Sequence, residues 1–246
     1  MKDYKFLTQP LIRIDDIKRE IPNESSMFST IKRLQGSKRI KKLKSGLYAL
    51  IDPTTGDIFA NKYEIATAIY DGAYIAYHSA LEYYGLANQS FLSVWVASEK
   101  CYSPVVIDGR DYVFFNTNYR DGIVEIEHNS LIRVTELERT VVDCLDRIDV
   151  GGGLEEVVNA LSLITYCDED KLLYHLNSYN KKFLYKKAGY ILSFIHPKYL
   201  SNKFFDVCKT KMSSRCDDLR ENNGQNSHYD REWKLIVPDY IINTEF

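Results

Sequence analysis

The sequence predicts an α+β protein, and three observations predict it. Residues 25–50 join a helical repeat of apolar side chains to a basic hairpin pattern. Residues 93–134 alternate short β-branched and aromatic runs with Asp-Gly and Asn-rich separators, as strands joined by turns do. Residues 135–208 carry long segments of helical periodicity broken by glycine and asparagine. The expected organisation is a small helix-turn-helix module with a wing-like hairpin at residues 1–62, followed at 63–246 by a larger domain with an antiparallel sheet and a C-terminal helical cluster.

At the N-terminus, Ile12 to Ile14 reads as a short strand, and Asp15 or Asp16 opens a helix running to about Ile21. Pro22-Asn23-Glu24 makes the turn, and Ser25 or Ser26 is the expected cap of the next helix, because a hydroxyl oxygen accepts from the free N–H groups of the first turn. Met27 or Phe28, Ile31 and Leu34 form one apolar face, which leaves Ser29, Thr30, Lys32, Arg33 and Gln35 on the others. Gly36 ends this helix. Lys38 to Leu43 and Leu47 to Ile51 then read as two strands about the Ser45-Gly46 turn. The first helix of a three-helix module is poorly marked.

Further on, Lys62 to Tyr70 has helical spacing, and Tyr77 to Leu86 reads as a short helix capped by Ser79 and closed by Gly85. Strands are expected at Ser93 to Ala97, Tyr102 to Ile107, Tyr112 to Phe115, Ile123 to Glu127 and Leu131 to Val134, with turns at Asp108-Gly109, Asp121-Gly122 and Asn129. Thr135-Glu136-Leu137-Glu138 fits a capping box for a helix to about Ile148, which Gly151-Gly152-Gly153 breaks. Helices follow at Leu154 to Ile164, Asp168 to Tyr179, Lys181 to Ile195 and from Pro197 to Cys208, then a polar loop from Ser213 to Asp230. Trp233 to Val237 reads as a last strand rejoining the sheet.

Charge divides the chain more sharply than hydropathy. The 246 residues carry a formal net charge of -2, yet the first 62 hold thirteen Lys and Arg against seven Asp and Glu, and the remainder nineteen against twenty-seven. Between Ser25 and Leu50 there are seven basic residues and no acid. A lysine run by itself more often marks a solvated face. The order helix, glycine, basic hairpin points instead to a winged helix-turn-helix, whose helix enters a major groove while the hairpin follows the backbone. On that reading Ser29, Thr30, Lys32 and Arg33 face the groove, and Lys38, Arg39, Lys41, Lys42 and Lys44 hold phosphates, about half of them at once because strand positions alternate.

The five cysteines are scattered without a C-x-x-C pair, so a reducing compartment and ordinary packing are expected, with no metal and no cofactor. No apolar run reaches the roughly 18 residues of a membrane span, and the N-terminus lacks a signal-like run, so a cytoplasmic location is expected. No catalytic constellation is evident. A metal-dependent nuclease would need acids such as Asp108, Asp111, Glu125 and Glu127 to converge with a lysine. A protein-interaction module with an incidental basic hairpin is the other alternative.

Several short motifs fall in one order: S-G-L-Y-A-L ending the hairpin, Y-H-S-A-L-E-Y-Y-G-L at Tyr77 to Leu86, E-R-T-V-V-D at Glu138 to Asp143 with Gly152-Gly153 after it, and K-K-A-G-Y-I-L at Lys186 to Leu192. Together they resemble the AbiEi-type antitoxins of bacterial type IV toxin-antitoxin and abortive-infection systems over about residues 12–195, with a looser match at W-K-L-I-V-P. Lys187 stands where that pattern usually has Arg. The resemblance implies an N-terminal winged helix-turn-helix that binds operator DNA as a transcriptional repressor, and a C-terminal domain that counters a nucleotidyltransferase-like toxin in phage defence. Within E-R-T-V-V-D, Arg139 and Asp143 are four apart and pair on a helix surface. With Glu138 as a cap, these three are expected to order the helix against the sheet, and an antitoxin role is the lesser alternative.

Overall fold

The computed structural model describes residues 4–127, 130–222 and 224–242. It is an α+β protein. Its contacts divide the chain into two compact units, Met1–Ile75 with Leu92–Val134, and Ala76–Phe91 with Thr135–Phe246. The division therefore differs from a single boundary near residue 62. The N-terminal module shares its unit with the strands that follow, and a short excursion belongs to the other unit.

The first unit begins with a 3-10 turn, Lys5–Thr8, in place of a first helix. Its backbone N–H groups at Lys5 and Phe6 donate to the Glu20 carboxylate at 3.0 and 2.8 Å, which seats Phe6 in the core. Then come β1 (Leu11–Arg13), α1 (Ile14–Glu20), α2 (Glu24–Gly36), β2 (Ile40–Lys44) and β3 (Leu47–Leu50). The strands form an antiparallel sheet in the order β1-β3-β2. Ile12, Tyr48 and Ile40 on one face of that sheet pack with Ile17 of α1 and with Met27, Ile31 and Leu34 of α2. Leu11, Leu47 and Ala49, of opposite parity, are buried on the other face.

Two helix starts within residues 5–50 differ from expectation. Helix α1 opens at Ile14, one or two residues earlier than expected, because the Asp16 carboxylate accepts from the Arg13 N–H at 3.0 Å and closes the first turn there. Helix α2 is capped by Asn23, whose Oδ1 accepts from Ser26 N at 2.9 Å, and not by Ser25 or Ser26. Asn23 has the extended backbone a cap requires and an acceptor that reaches the third helical residue.

Helix α3 (Lys62–Ile69) leads to β4 (Tyr74–Ile75), after which the chain leaves for the second unit through α4 (Tyr77–Tyr83). It returns as β5 (Ser93–Ser98), β6 (Val105–Ile107), β7 (Arg110–Asn116), β8 (Ile123–Glu127) and β9 (Leu131–Thr135). These strands form one sheet in the order β6-β7-β5-β4-β9-β8. The sheet is mixed where an antiparallel one is expected: β5 runs parallel to β7, and β4 to β9. Turn residues mark local reversals only. The β6–β7 hairpin at Asp108-Gly109 folds so that β7, not β6, lies beside β5. The turn expected at Asn129 lies outside the described residues.

The second unit holds α4 with α5 (Leu137–Asp146), α6 (Leu154–Ser162), α7 (Glu169–Tyr179), α8 (Lys182–Ile195) and α9 (Asn202–Lys211). Strands β10 (Asp217–Asp218), β11 (Ser227–Asp230) and β12 (Leu235–Pro238) and the turn α10 (Asp239–Ile242) complete it. The final strand does not rejoin the large sheet. It pairs in a separate small sheet with β10 and β11, both of which lie inside the segment expected as loop. Ser79 lies buried within α4 and does not cap it, because Ala76 is the residue that precedes the helix. Helix α9 starts at Asn202 and not at Pro197: His196 takes a left-handed conformation to end α8, and Pro197 to Leu200 form a turn.

Candidate nucleic-acid interface

Helix α2 turns Met27, Ile31 and Leu34 inward and leaves Ser25, Ser29, Lys32, Arg33 and Gln35 exposed, with Thr30 half-buried at the margin. Lys32 and Arg33 thus stand on the outer face of a 13-residue helix. The basic segment continues through Lys38, a non-glycine residue in the left-handed region at φ 54°, and Arg39 into β2. Among the described residues Lys32, Arg33, Lys38 and Lys42 form no ion pair.

The remaining basic residues of the hairpin are separated by strand alternation and by a register shift between Lys42 and Lys44. Lys42 sits opposite Tyr48 on the face shared with α2, whereas Lys41 sits opposite Ala49 on the other face. Lys41 Nζ lies 2.6 Å from Asp108 Oδ1 at the β6–β7 turn, with both side chains about half exposed. Lys44 is half-buried. Its ammonium donates to the Ile69 carbonyl at the end of α3 and lies 3.8 Å from the Tyr70 ring centroid. Burial, with Arg13 nearby, holds its pKa below the ordinary lysine value. Arg13 donates to the neighbouring Ala68 carbonyl at 3.3 Å. Two cations therefore cap the C-terminal carbonyls of α3, where a helix end is negative. Lys44 is a fastening within this unit and not part of the exposed basic surface.

The E-R-T-V-V-D segment also differs from expectation. Glu138 does not close a capping box with Thr135: its Oε1 accepts from Asp168 N at 2.9 Å, and Thr135 Oγ1 lies 2.7 Å from Thr140 Oγ1. Arg139 and Asp143 pair at 3.4 Å, but each is only 1% exposed, so the pair lies in the interior and not on a helix surface. Helix α5 is covered from several sides by α4, α7 and α8, which is why periodicity alone misplaces its polar face. The Tyr179 hydroxyl donates to the Asp143 carboxylate. Burial pushes that carboxyl up to about 6, against the pull of Arg139 and Tyr179.

Two buried lysines in K-K-A-G-Y-I-L carry roles that periodicity does not assign. Lys186 donates to the Arg215 carbonyl at 2.6 Å and to Asp217 at 2.5 Å, fastening α8 to β10. Lys187 donates to the Asp146 carbonyl at 2.7 Å, and burial lowers it to about 8. A lysine inside an otherwise apolar helical run is the signal that could have found them. Gly189 between them and the strand region is required sterically: a Cβ there would lie 2.1 Å from Cζ3 of Trp233.

The acids that a nuclease would require are kept apart. Asp108 and Asp111 lie at the β6–β7 edge and Glu125 and Glu127 on β8 at the opposite edge of the sheet, with Glu125 paired to Arg133 at 2.6 Å. Among the described residues no group of three or more His, Cys, Asp or Glu is placed to hold a metal ion, and no helix is long and apolar enough to cross a membrane.

No family model matches the chain, and no curated protein matches it. Among solved structures it is similar to the RV2827C protein from Mycobacterium tuberculosis, with a TM-score of 0.68 and 15% sequence identity over 92% of this chain and 85% of that one. At that identity the likeness is one of fold.

Proposed function

We propose that this chain is a DNA-binding repressor of its own operon and the antitoxin of a type IV toxin-antitoxin system. Residues 5–50 serve as a winged helix-turn-helix, with α1 as the positioning helix, α2 as the recognition helix and the β2–β3 hairpin as the wing. The observation that carries this reading is the exposed face of α2 with Lys32 and Arg33, continued by Lys38 and Lys42, all without carboxylate partners among the described residues. Phosphate contacts from these cations supply affinity, and Ser29, Thr30 and Arg33 are positioned along the helix for base edges. Arg39 joins the phosphate set. Lys41 reaches DNA only by leaving Asp108, and Lys44 makes no contact.

The antitoxin half of the proposal rests on the family resemblance. The motifs that carry it occupy positions with a physical demand: a left-handed Gly46 beside Ile14, the buried Arg139–Asp143 pair, Lys186 on Asp217, and Gly189 under Trp233. Such positions are ones a shared fold would retain, and the partner would be a nucleotidyltransferase-like toxin opposed by the second unit.

The test is fluorescence anisotropy on labelled DNA from upstream of the gene, against scrambled DNA, across a salt series. Affinity that falls steeply with salt while keeping a preference for the upstream sequence is expected. Lys42→Glu should weaken all sequences alike and lower the salt slope by about one, whereas Arg33→Ala should also relax the preference. Absence of binding at low salt would sink the DNA reading, and survival of toxin-expressing cells would then be tested separately.

A further inference from the structure

Two motif segments take no part in the proposed DNA contacts, and both meet at one buried carboxylate. Glu156, in the first turn of α6, is 1% exposed, and its Oε1 lies 3.0 Å from His78 Nε2 of α4. The same oxygen accepts from Asn88 N at 2.9 Å and Gln89 N at 3.1 Å. Its other oxygen, Oε2, is buried with no hydrogen-bond partner among the described residues. Gly152 and Gly153 pass beside it at φ 104° and 94°. A Cβ on Gly152 would stand 2.8 Å from Glu156 Cγ and 2.9 Å from His78 Cδ2, so the passage admits only glycine.

This close approach borders a cavity of about 260 Å³ lined by Gln89, Glu155, Glu156, Glu221, Gln225 and Tyr240. Glu221 Oε1 accepts from Leu154 N at 2.9 Å, the first residue of α6, and Glu155 stands exposed beside it. A helix N-terminus supplies only about half a positive charge, too little to balance three carboxylates. Among the described residues no Lys or Arg pairs with Glu155, Glu156 or Glu221. Tyr240 lines the same cavity as both carboxylates, and burial pushes its hydroxyl up to about 12, with Glu221 and Glu155 adding to the shift.

We propose that this cavity binds an organic cation with a guanidinium or alkylammonium head. Such a head spreads several donors over separated acceptors and lies against an aromatic wall, which suits carboxylates set around Tyr240. A compact divalent ion needs oxygen ligands converging on one point, and among the described residues no such group of three is present. The site stands apart from the DNA reading.

Isothermal titration of the full chain with agmatine, with N-acetylargininamide, and separately with calcium and magnesium chloride tests it. Saturable binding of a guanidinium compound, one per chain, is expected. Glu155→Gln and Glu221→Gln should each weaken it about tenfold, the worth of one charge-assisted hydrogen bond. Both side chains are exposed, so these variants keep the fold, which circular dichroism verifies. Tighter binding of agmatine assigns the occupant to a free small-molecule cation, and tighter binding of N-acetylargininamide to an arginine side chain on a protein; either supports the site. No saturable binding of either compound, affinities unchanged in both variants, or metal binding that the variants abolish would overturn it.

Discussion

At the scale of single residues, the second unit depends on a few groups whose environment is unusual. Asp143 is the clearest. Its carboxyl titrates near 6 in the folded chain, above the roughly 3.9 of an unfolded aspartate, because burial disfavours the charged form. The folded state therefore holds more proton than the unfolded one between those values, and this group's contribution to stability falls as pH rises from about 4 to about 6. Denaturant unfolding of the protein and of Asp143→Asn at a series of pH values should show the protein losing stability relative to the variant as pH rises through that window. A difference flat in pH would show that the carboxyl titrates normally. Gly189 makes a steric demand instead. Gly189→Ala puts a methyl group into the Trp233 ring and should cost at least about 2 kcal/mol, read as a lower denaturation midpoint.

At the scale of elements, the basic segment divides by role. Strand alternation sends Lys42 to the face of α2 and Lys41 to Asp108, and a register shift between Lys42 and Lys44 turns Lys44 to the end of α3. Lys44→Met removes a cation from the α3 terminus and from the Tyr70 ring, and is expected to lower stability by about 1 kcal/mol with little change in DNA affinity. Lys42→Glu should do the reverse, and a thermal melt beside an anisotropy titration separates the two. Asn23→Ala removes the cap of α2 and should cost about 1 kcal/mol, whereas Ser25→Ala should be near neutral, because Ser25 does not cap the helix. If Ser25→Ala were the costlier change, the cap assignment would be wrong.

At the scale of the whole molecule, the first unit is discontinuous in sequence. A fragment ending at residue 62 keeps the core of Phe6, Ile12, Ile17, Met27, Ile31, Leu34, Ile40 and Tyr48. It loses the Ala68 and Ile69 carbonyls that Arg13 and Lys44 cap, and it loses β4 to β9 together with most of α3. Helix α3 packs against β1, and Leu11, Leu47 and Ala49 line the sheet face away from the helices. The fragment is therefore expected to melt well below the intact chain, by circular dichroism, and to bind a hydrophobic dye. A fragment as stable as the whole would show that the N-terminal module folds independently of the large sheet.

The sequence by itself determined the α+β class, the turn-bounded elements and the basic surface of α2, because helical and strand periodicities, glycine turns and local charge are properties of neighbouring residues. It also pointed to Gly85 and the Asp108-Gly109 turn, whose backbone conformations are local. Tertiary structure decided the rest. Whether β5 joins β6 or β7, whether the final strand enters the large sheet or a small one, and which hydrogen-bond partner Glu138, Lys44 or Lys186 reaches all depend on contacts between residues far apart in sequence. The capping box at Thr135 failed for the same reason. A carboxylate near a helix start bonds to whichever free N–H lies nearest in space, and for Glu138 that N–H belongs to Asp168, thirty residues away.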